Sequence, residues 1–120
     1  MNELKIKRVY LAADDGDGYR ILIDRLWPRG LSKEKAGVDE WNKLVTPSTN
    51  LRKWFGHQEE NYEEFAVRYR IELDGNPEAL SFAEHIRKLL RDGDVTLLYG
   101  AKNESCNHAI ILRDWLMVRL

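Results

Sequence analysis

At 120 residues, 43% apolar and 32% charged, the chain has the length for one compact domain with its own core and too little for two. Nineteen basic side chains stand against twenty acidic ones, a formal charge of −1, which excludes bulk attraction to nucleic acid or anionic lipid and leaves any anion site to be local. The single cysteine, Cys106, excludes an intrachain disulfide, and with no signal-type segment or apolar run near the ~18 residues that span a bilayer, a cytoplasmic protein away from membranes is expected.

The first apolar alternation, over residues 5–11, runs into Asp14-Asp-Gly-Asp-Gly18, a cluster of turn formers that predicts a hairpin or an excursion loop. Its carboxylates resemble the start of a calcium loop, but the bidentate Glu such a loop needs at its twelfth position is missing. Tyr19 to Ile23 reads as a strand that ends where Pro28 and Gly30 punctuate the chain. Ser32 to Gly37 has a cap and a glycine stop for one or two helical turns. Trp41, Leu44 and Val45 recur at helical spacing before Pro47, and Ser48 is placed to cap a helix that stops at Gly56.

Glu59 to Leu73 is the clearest helix, with Tyr62, Phe65, Ala66, Tyr69 and Leu73 on one stripe. A second helix starts at Pro77 behind an Asn76 cap, turning Leu80, Ala83, Ile86 and Leu90 inward. Asp94 to Tyr99 is short and apolar, as a strand covered on both faces would be. After the polar loop from Gly100 to Asn107, a buried helix is expected from His108 to Leu120, capped by Asn107 or Ser105. This alternation predicts a single α/β domain over residues 1–120: a small, mainly parallel sheet in which the two strands are joined, with the helices at 59–73 and 108–120 covering its faces.

In open α/β sheets, ligands bind beyond the carboxyl ends of the strands. Asp24, Arg25 and Arg29 follow one strand; Tyr99, Lys102, Asn107 and His108 follow the other, and Arg52 lies in the intervening helix. A planar guanidinium suits phosphate or carboxylate, so Arg25, Arg29, Arg52, Tyr99, Lys102 and Asn107 form an expected anion-binding set. His108 and Asp24 are the candidate catalytic pair, since a histidine at a helix start can donate to a ligand or shuttle a proton. Trp27 and Trp54 are candidates for an aromatic cleft wall. The plainer reading of Asp24, Arg25 and Arg29 is an ion-pair network that holds the turn. His57 follows a helix-stopping glycine and His85 lies on a solvent-facing helix position, so both rank below His108. No metal site or cofactor is expected: the histidines are far apart, and no nucleophile elbow or phosphate-cradling glycine pattern is present.

Three blocks together, Gly18-Tyr-Arg-Ile-Leu-Ile-Asp-Arg-Leu-Trp-Pro-Arg-Gly30, Pro47-Ser48 with Leu51 to His57, and Leu97 to Lys102 with Asn107-His-Ala109, carry a family likeness. The chain resembles the YeaO-like branch of the bacterial family called domain of unknown function 488, over almost its whole length. That resemblance implies a cytoplasmic α/β protein and assigns no activity. Wider relatives often have a cysteine where this chain has Tyr99 and a Cys-His-Arg run where it has Asn107-His108-Ala109, so a thiol or metal mechanism is not inherited.

The functions compatible with these residues are an enzyme acting on a small phosphorylated or carboxylated metabolite, a nucleotide or nucleic-acid binding module, which the charge balance does not favour, and a non-catalytic interaction domain. A small anionic ligand is the expected partner, and the sequence fixes no oligomeric state.

Overall fold

The computed structural model describes residues 2–120. Four strands, β1 (Leu4–Arg8), β2 (Tyr19–Leu22), β3 (Glu40–Trp41) and β4 (Val95–Tyr99), form one all-parallel sheet in the order β1-β4-β2-β3. The helices are α1 (Lys33–Ala36), α2 (Thr49–Phe55), α3 (Tyr62–Asp74), α4 (Pro77–Leu89) and α5 (His108–Met117). The expected α/β class is therefore the observed one, and the strands at 19–23 and 94–99 lie side by side, Tyr19 opposite Val95 and Leu22 opposite Leu98.

Alternation along the strands divides the sheet into unlike faces. Ile21 and Ile23 after it, with Val95, Leu97 and Tyr99, turn to one face, where they meet Phe65, Tyr69 and Leu73 of α3, Phe82 and Ile86 of α4, and Ile111, Leu112 and Leu116 of α5. The other face carries a smaller cluster of Val9, Leu22, Leu98 and Ala36 of α1, covered by Trp27, Leu31, Val38 and Trp41. The helices expected to cover both faces thus lie together on one. The reason is polar: Lys7 and Arg20 project from the opposite face and require a carboxylate rather than a helix stripe.

That carboxylate is Asp17. It accepts from Lys7 at 3.0 Å and from the Arg20 guanidinium, whose Nε and Nη2 donate to the carbonyls of Gly37 and Ala36 at 3.0 and 2.7 Å. Arg20 is only 4% exposed, so these acceptors replace its hydration. Asp17 sits in a one-turn 3-10 helix with a capping box to Asp14, and Gly18 after it has φ 68°, where an added Cβ would lie 2.0 Å from the Asp94 carbonyl oxygen. The 14–18 stretch is therefore an excursion loop. A hairpin is impossible because β4 separates β1 from β2.

Local spacing misleads at three other places. Trp41, Leu44 and Val45 form no helix: residues 40–41 extend the sheet as its edge, with Asn42 N–H donating to the Leu22 carbonyl at 2.9 Å. In α4, Ala83 and Ile86 face the core as expected, joined by Ala79 and Phe82, and Leu90 packs partly buried against it, whereas Leu80 is 53% exposed. The helix expected from Glu59 opens as a 3-10 turn, Glu59–Asn61, before α3. Asn107, rather than Ser105, caps α5.

Burial pushes the Asp17 carboxyl up, but hydrogen bonds from Lys7, the Asp14 backbone and Arg20 outweigh it and hold its pKa below the ordinary value. A depressed folded-state pKa stabilises the fold above the unfolded value of about 3.9, and that contribution is lost as pH falls through the folded value. Asp17→Asn should therefore destabilise the protein at pH 7 by about 3 kcal/mol, since it leaves Arg20 and Lys7 without their counter-charge. Urea unfolding at pH 7 and at about pH 3 should show the gap between wild type and variant shrinking at the acid end; a gap independent of pH would show that the charge of Asp17 is not what stabilises this face.

Candidate anion-binding cleft

The connections diverge between β2 and β4. After β2 the chain passes outward through α1 on one face to β3, whereas after β4 it enters α5, which packs on the other face against β1. Their carboxyl ends leave a crevice, the place where open α/β sheets bind ligands. A cleft of about 280 Å³ occupies it, walled by Asp24 to Pro28, by Gly100 and Ala101, by Asn107 and His108, by Thr46, Pro47, Arg52 and His57 around α2, and by Tyr10, with Phe55 and Phe65 as its apolar part. The rings of Phe55 and Phe65 are stacked at 4.2 Å.

Asp24 ties the two strand ends together. Its Oδ2 accepts from Gly100 N–H at 2.8 Å, and its backbone carbonyl accepts from the Trp41 indole at 2.7 Å. A Cβ on residue 100 would come within 2.8 Å of Asp24 Oδ2, so the glycine is what allows the carboxylate this seat. Asp24 Oδ1 lies 3.3 Å from His108 Nε2, which is also 2.8 Å from the Ile23 carbonyl oxygen. A carbonyl only accepts, so Nε2 must carry the hydrogen, and Nδ1 is left without a partner among the described residues. Nδ1 is not buried, and His108 is one of the residues that line the cleft.

Neither guanidinium on the cleft wall has a carboxylate partner among the described residues. Arg25 donates through Nη2 to the Pro47 carbonyl at 3.1 Å, while its Nε is buried with no acceptor. Arg52 is exposed at the cleft wall and, among the described residues, has no carboxylate within ion-pair distance. The one carboxylate lining the cleft, Asp24, is already engaged. Arg25 is therefore not paired with Asp24, and the expected ion-pair network across this turn does not form. His57 stands beside them with φ 57°, the left-handed region a side chain rarely adopts, its ring 5.9 Å from that of Phe55.

Of the residues singled out from the sequence, Asp24, Arg25, Trp27, Arg52, Asn107 and His108 converge on the cleft. Asn107 is occupied as a cap: Oδ1 accepts from Ile110 N–H at 3.1 Å and Nδ2 donates to the Asn103 carbonyl at 2.9 Å. Trp27 donates its indole hydrogen to the Leu31 carbonyl and meets Trp41 edge-on, so it serves as a packed wall. Four others do not line the cleft. Arg29 points to solvent, contributing a backbone carbonyl to Tyr10 Oη at 3.0 Å, and Lys102 is exposed on the loop after β4. Tyr99 is buried toward the helices; burial, and then Glu104, raise its pKa above the ordinary phenol value, with Arg8 and Asn107 offsetting only part, so it stays a neutral phenol near neutral pH. Trp54 lies under the Arg68 guanidinium, 4.3 Å from the ring centre, away from the cleft.

Tyr10, Pro47 and Phe65 line the cleft without having been expected there. Pro47 reads as a chain break and Phe65 as core. The one available signal is that a proline has only its carbonyl to offer, an acceptor suited to the donor-rich segment at 24–29. Among the described residues no three His, Cys, Asp or Glu side chains gather as metal ligands, and no helix is long and apolar enough to cross a membrane.

Comparison with known proteins agrees with the likeness carried by the sequence blocks. A family model described as "Inactive DUF488-N3 subclade" matches residues 3–120. The chain is 44% identical over 113 residues to "Uncharacterized protein YeaO" of Escherichia coli (strain K12), covering 94% of this chain and 96% of that one. It is 39% identical over 113 residues to "Uncharacterized protein Rv3073c" of Mycobacterium tuberculosis and to "Uncharacterized protein Mb3100c" of Mycobacterium bovis, in each case over 94% of this chain and 92% of the relative. No solved structure matches it.

Because the Asp24 seat depends on the missing Cβ at residue 100, Gly100→Ala should displace the carboxylate and cost about 1–2 kcal/mol. The His108 imidazole nitrogen resonances should move with it, as ¹⁵N spectra of labelled protein would record. Unchanged stability together with unchanged imidazole shifts would mean that Gly100 does not set the position of Asp24.

Proposed function

This chain belongs to the inactive DUF488-N3 subclade, and from that premise we propose that it binds a small phosphate- or carboxylate-bearing metabolite in the cleft at the ends of β2 and β4. The observation that carries this reading is the Arg25 guanidinium on the cleft wall, which has no carboxylate partner among the described residues and spends Nη2 on the Pro47 carbonyl, leaving Nη1 unpartnered and not buried. A guanidinium that reaches only one neutral acceptor keeps donors free, and a ligand oxyanion can take them in a charge-assisted pair. Arg52, without a counter-ion at the same wall, adds a second donor fork. With Asp24 as the one lining carboxylate, the wall holds an excess of positive charge although the whole chain is near neutral.

The cleft volume of about 280 Å³ suits a small molecule better than a polymer, and its Phe55 and Phe65 side suits an apolar ligand body. The contact between Asp24 and His108 favours a second reading, an enzyme in which His108 exchanges a proton with the same ligand. The description of the subclade as inactive, and the absence of a thiol at Tyr99 and at Asn107, weigh toward binding without turnover.

A thermal-shift screen of phosphorylated and carboxylated metabolites, nucleotides and short oligonucleotides tests this. At about 100 Kd a native-state ligand contributes roughly 2.7 kcal/mol, a rise of about 10 °C for a domain of this size. Arg52→Ala should leave the ligand-free Tm unchanged, because the exposed side chain makes no hydrogen bond or ion pair among the described residues, and weaken binding about ten-fold or more. Arg29→Ala should leave both unchanged. If no anion shifts Tm, the protein is an interaction domain; if only oligonucleotides do, with a response that falls steeply with salt, it is a nucleic-acid module.

A further inference from the structure

The polar groups of the cleft are sorted by sign of hydrogen bonding. Arg25 and Arg52 can only donate. In the same lining, the Nε2 hydrogen of His108 is spent on the Ile23 carbonyl, with Asp24 Oδ1 beside it at 3.3 Å, so neutral His108 keeps a lone pair on Nδ1, which is not buried. Asp24 is likewise acceptor-only once ionised, its other oxygen being held by Gly100 N–H. An oxyanion in contact with both sets would satisfy the guanidiniums with its own lone pairs and then face lone pairs again.

We propose that the cleft selects an anion bearing a hydrogen-bond donor on or beside its charged group, either hydrogen phosphate or a hydroxyl-bearing carboxylate, with His108 Nδ1 as the acceptor of that hydrogen. This rests on the anion-binding reading of the same cleft and narrows it to a chemical class. The selection works by penalty. An isosteric anion without the hydrogen sets its own oxygen against the Nδ1 lone pair, whereas the donor-bearing anion supplies the hydrogen that this lone pair accepts. The discrimination depends on the tautomer, which is fixed by a backbone carbonyl at the end of β2 and not by the ligand.

Two matched pairs of probes test it: phosphate against sulfate, and lactate against propionate, titrated at about pH 8, above the ordinary imidazole range. In whichever pair binds, the donor-bearing anion should bind about ten-fold more tightly or better, and His108→Ala should bring the two affinities together. Which pair binds separates a phosphate site from a hydroxy-acid site. Equal affinities within the binding pair in the wild type would overturn the selection and leave the anion site standing. Failure of all four probes to bind would remove the anion site and the selection with it. Should His108→Ala fail to fold, the wild-type ¹⁵N spectrum decides: phosphate, or lactate, should move the Nδ1 resonance, and its donor-free counterpart should not.

Discussion

Everything positioned in this fold depends on the burial of β4 between β1 and β2. All five of its residues are buried, so each must satisfy two neighbours and two faces at once. Because both pairings are parallel, the chain leaves all three strands at the same end, and residues 8–10, 23–28 and 99–101 come together there although up to 93 positions separate them. The cleft arises from strand direction. Its polar residues did not need to be close in sequence, only to follow parallel strands.

The unlike faces of the sheet assign different tasks to neighbouring residues. The helical face holds the apolar core, whereas the opposite face is organised around the Asp17 carboxylate and the two cations it joins. Ion pairs buried in this way are weak evidence for net stability, since the desolvation cost approaches the Coulomb gain. Their structural value here is positional. The carbonyls of Ala36 and Gly37 must sit where the Arg20 fork can reach them, which fixes the α1 crossover and therefore the edge strand that follows it.

Much of this was legible from residue patterns, and the failures have physical reasons. β2 and β4 could be read because unbroken apolar runs between turn formers have few other uses. β3 could not, because its pairing with β2 is a long-range event that overrides the helical spacing of Trp41, Leu44 and Val45. In α4 the apolar residues 79, 80, 82, 83 and 86 fit two adjacent stripes, and only packing against α3 and the sheet chooses between them. The rule that ligands gather at strand ends brought Asp24, Arg25 and His108 into one group, and all three line the cleft, but sequence proximity cannot tell which way a side chain turns. Tyr99 is the last residue of β4 and faces the helices; Gly100, one position on, presents its backbone to Asp24. Arg25 and Arg29 flank the same turn, yet one reaches inward and the other into solvent.

The two margins of the sheet bear on how copies of this protein can meet. An unpaired strand edge invites another chain to add to it, and the usual defences are shortness and charge. β3 offers only two residues for pairing. β1 offers five, but Lys5 and Lys7 occupy alternate positions of it and are tethered inward, Lys5 to the Gly16 carbonyl and Asp94, Lys7 to Asp17 and the Ala12 carbonyl. Neither margin is a good template for continuing the sheet into a second molecule. Association between copies, wherever it occurs, is thereby directed to helix surfaces, where Val67 and Ile71 of α3 and Leu80 of α4 stand exposed.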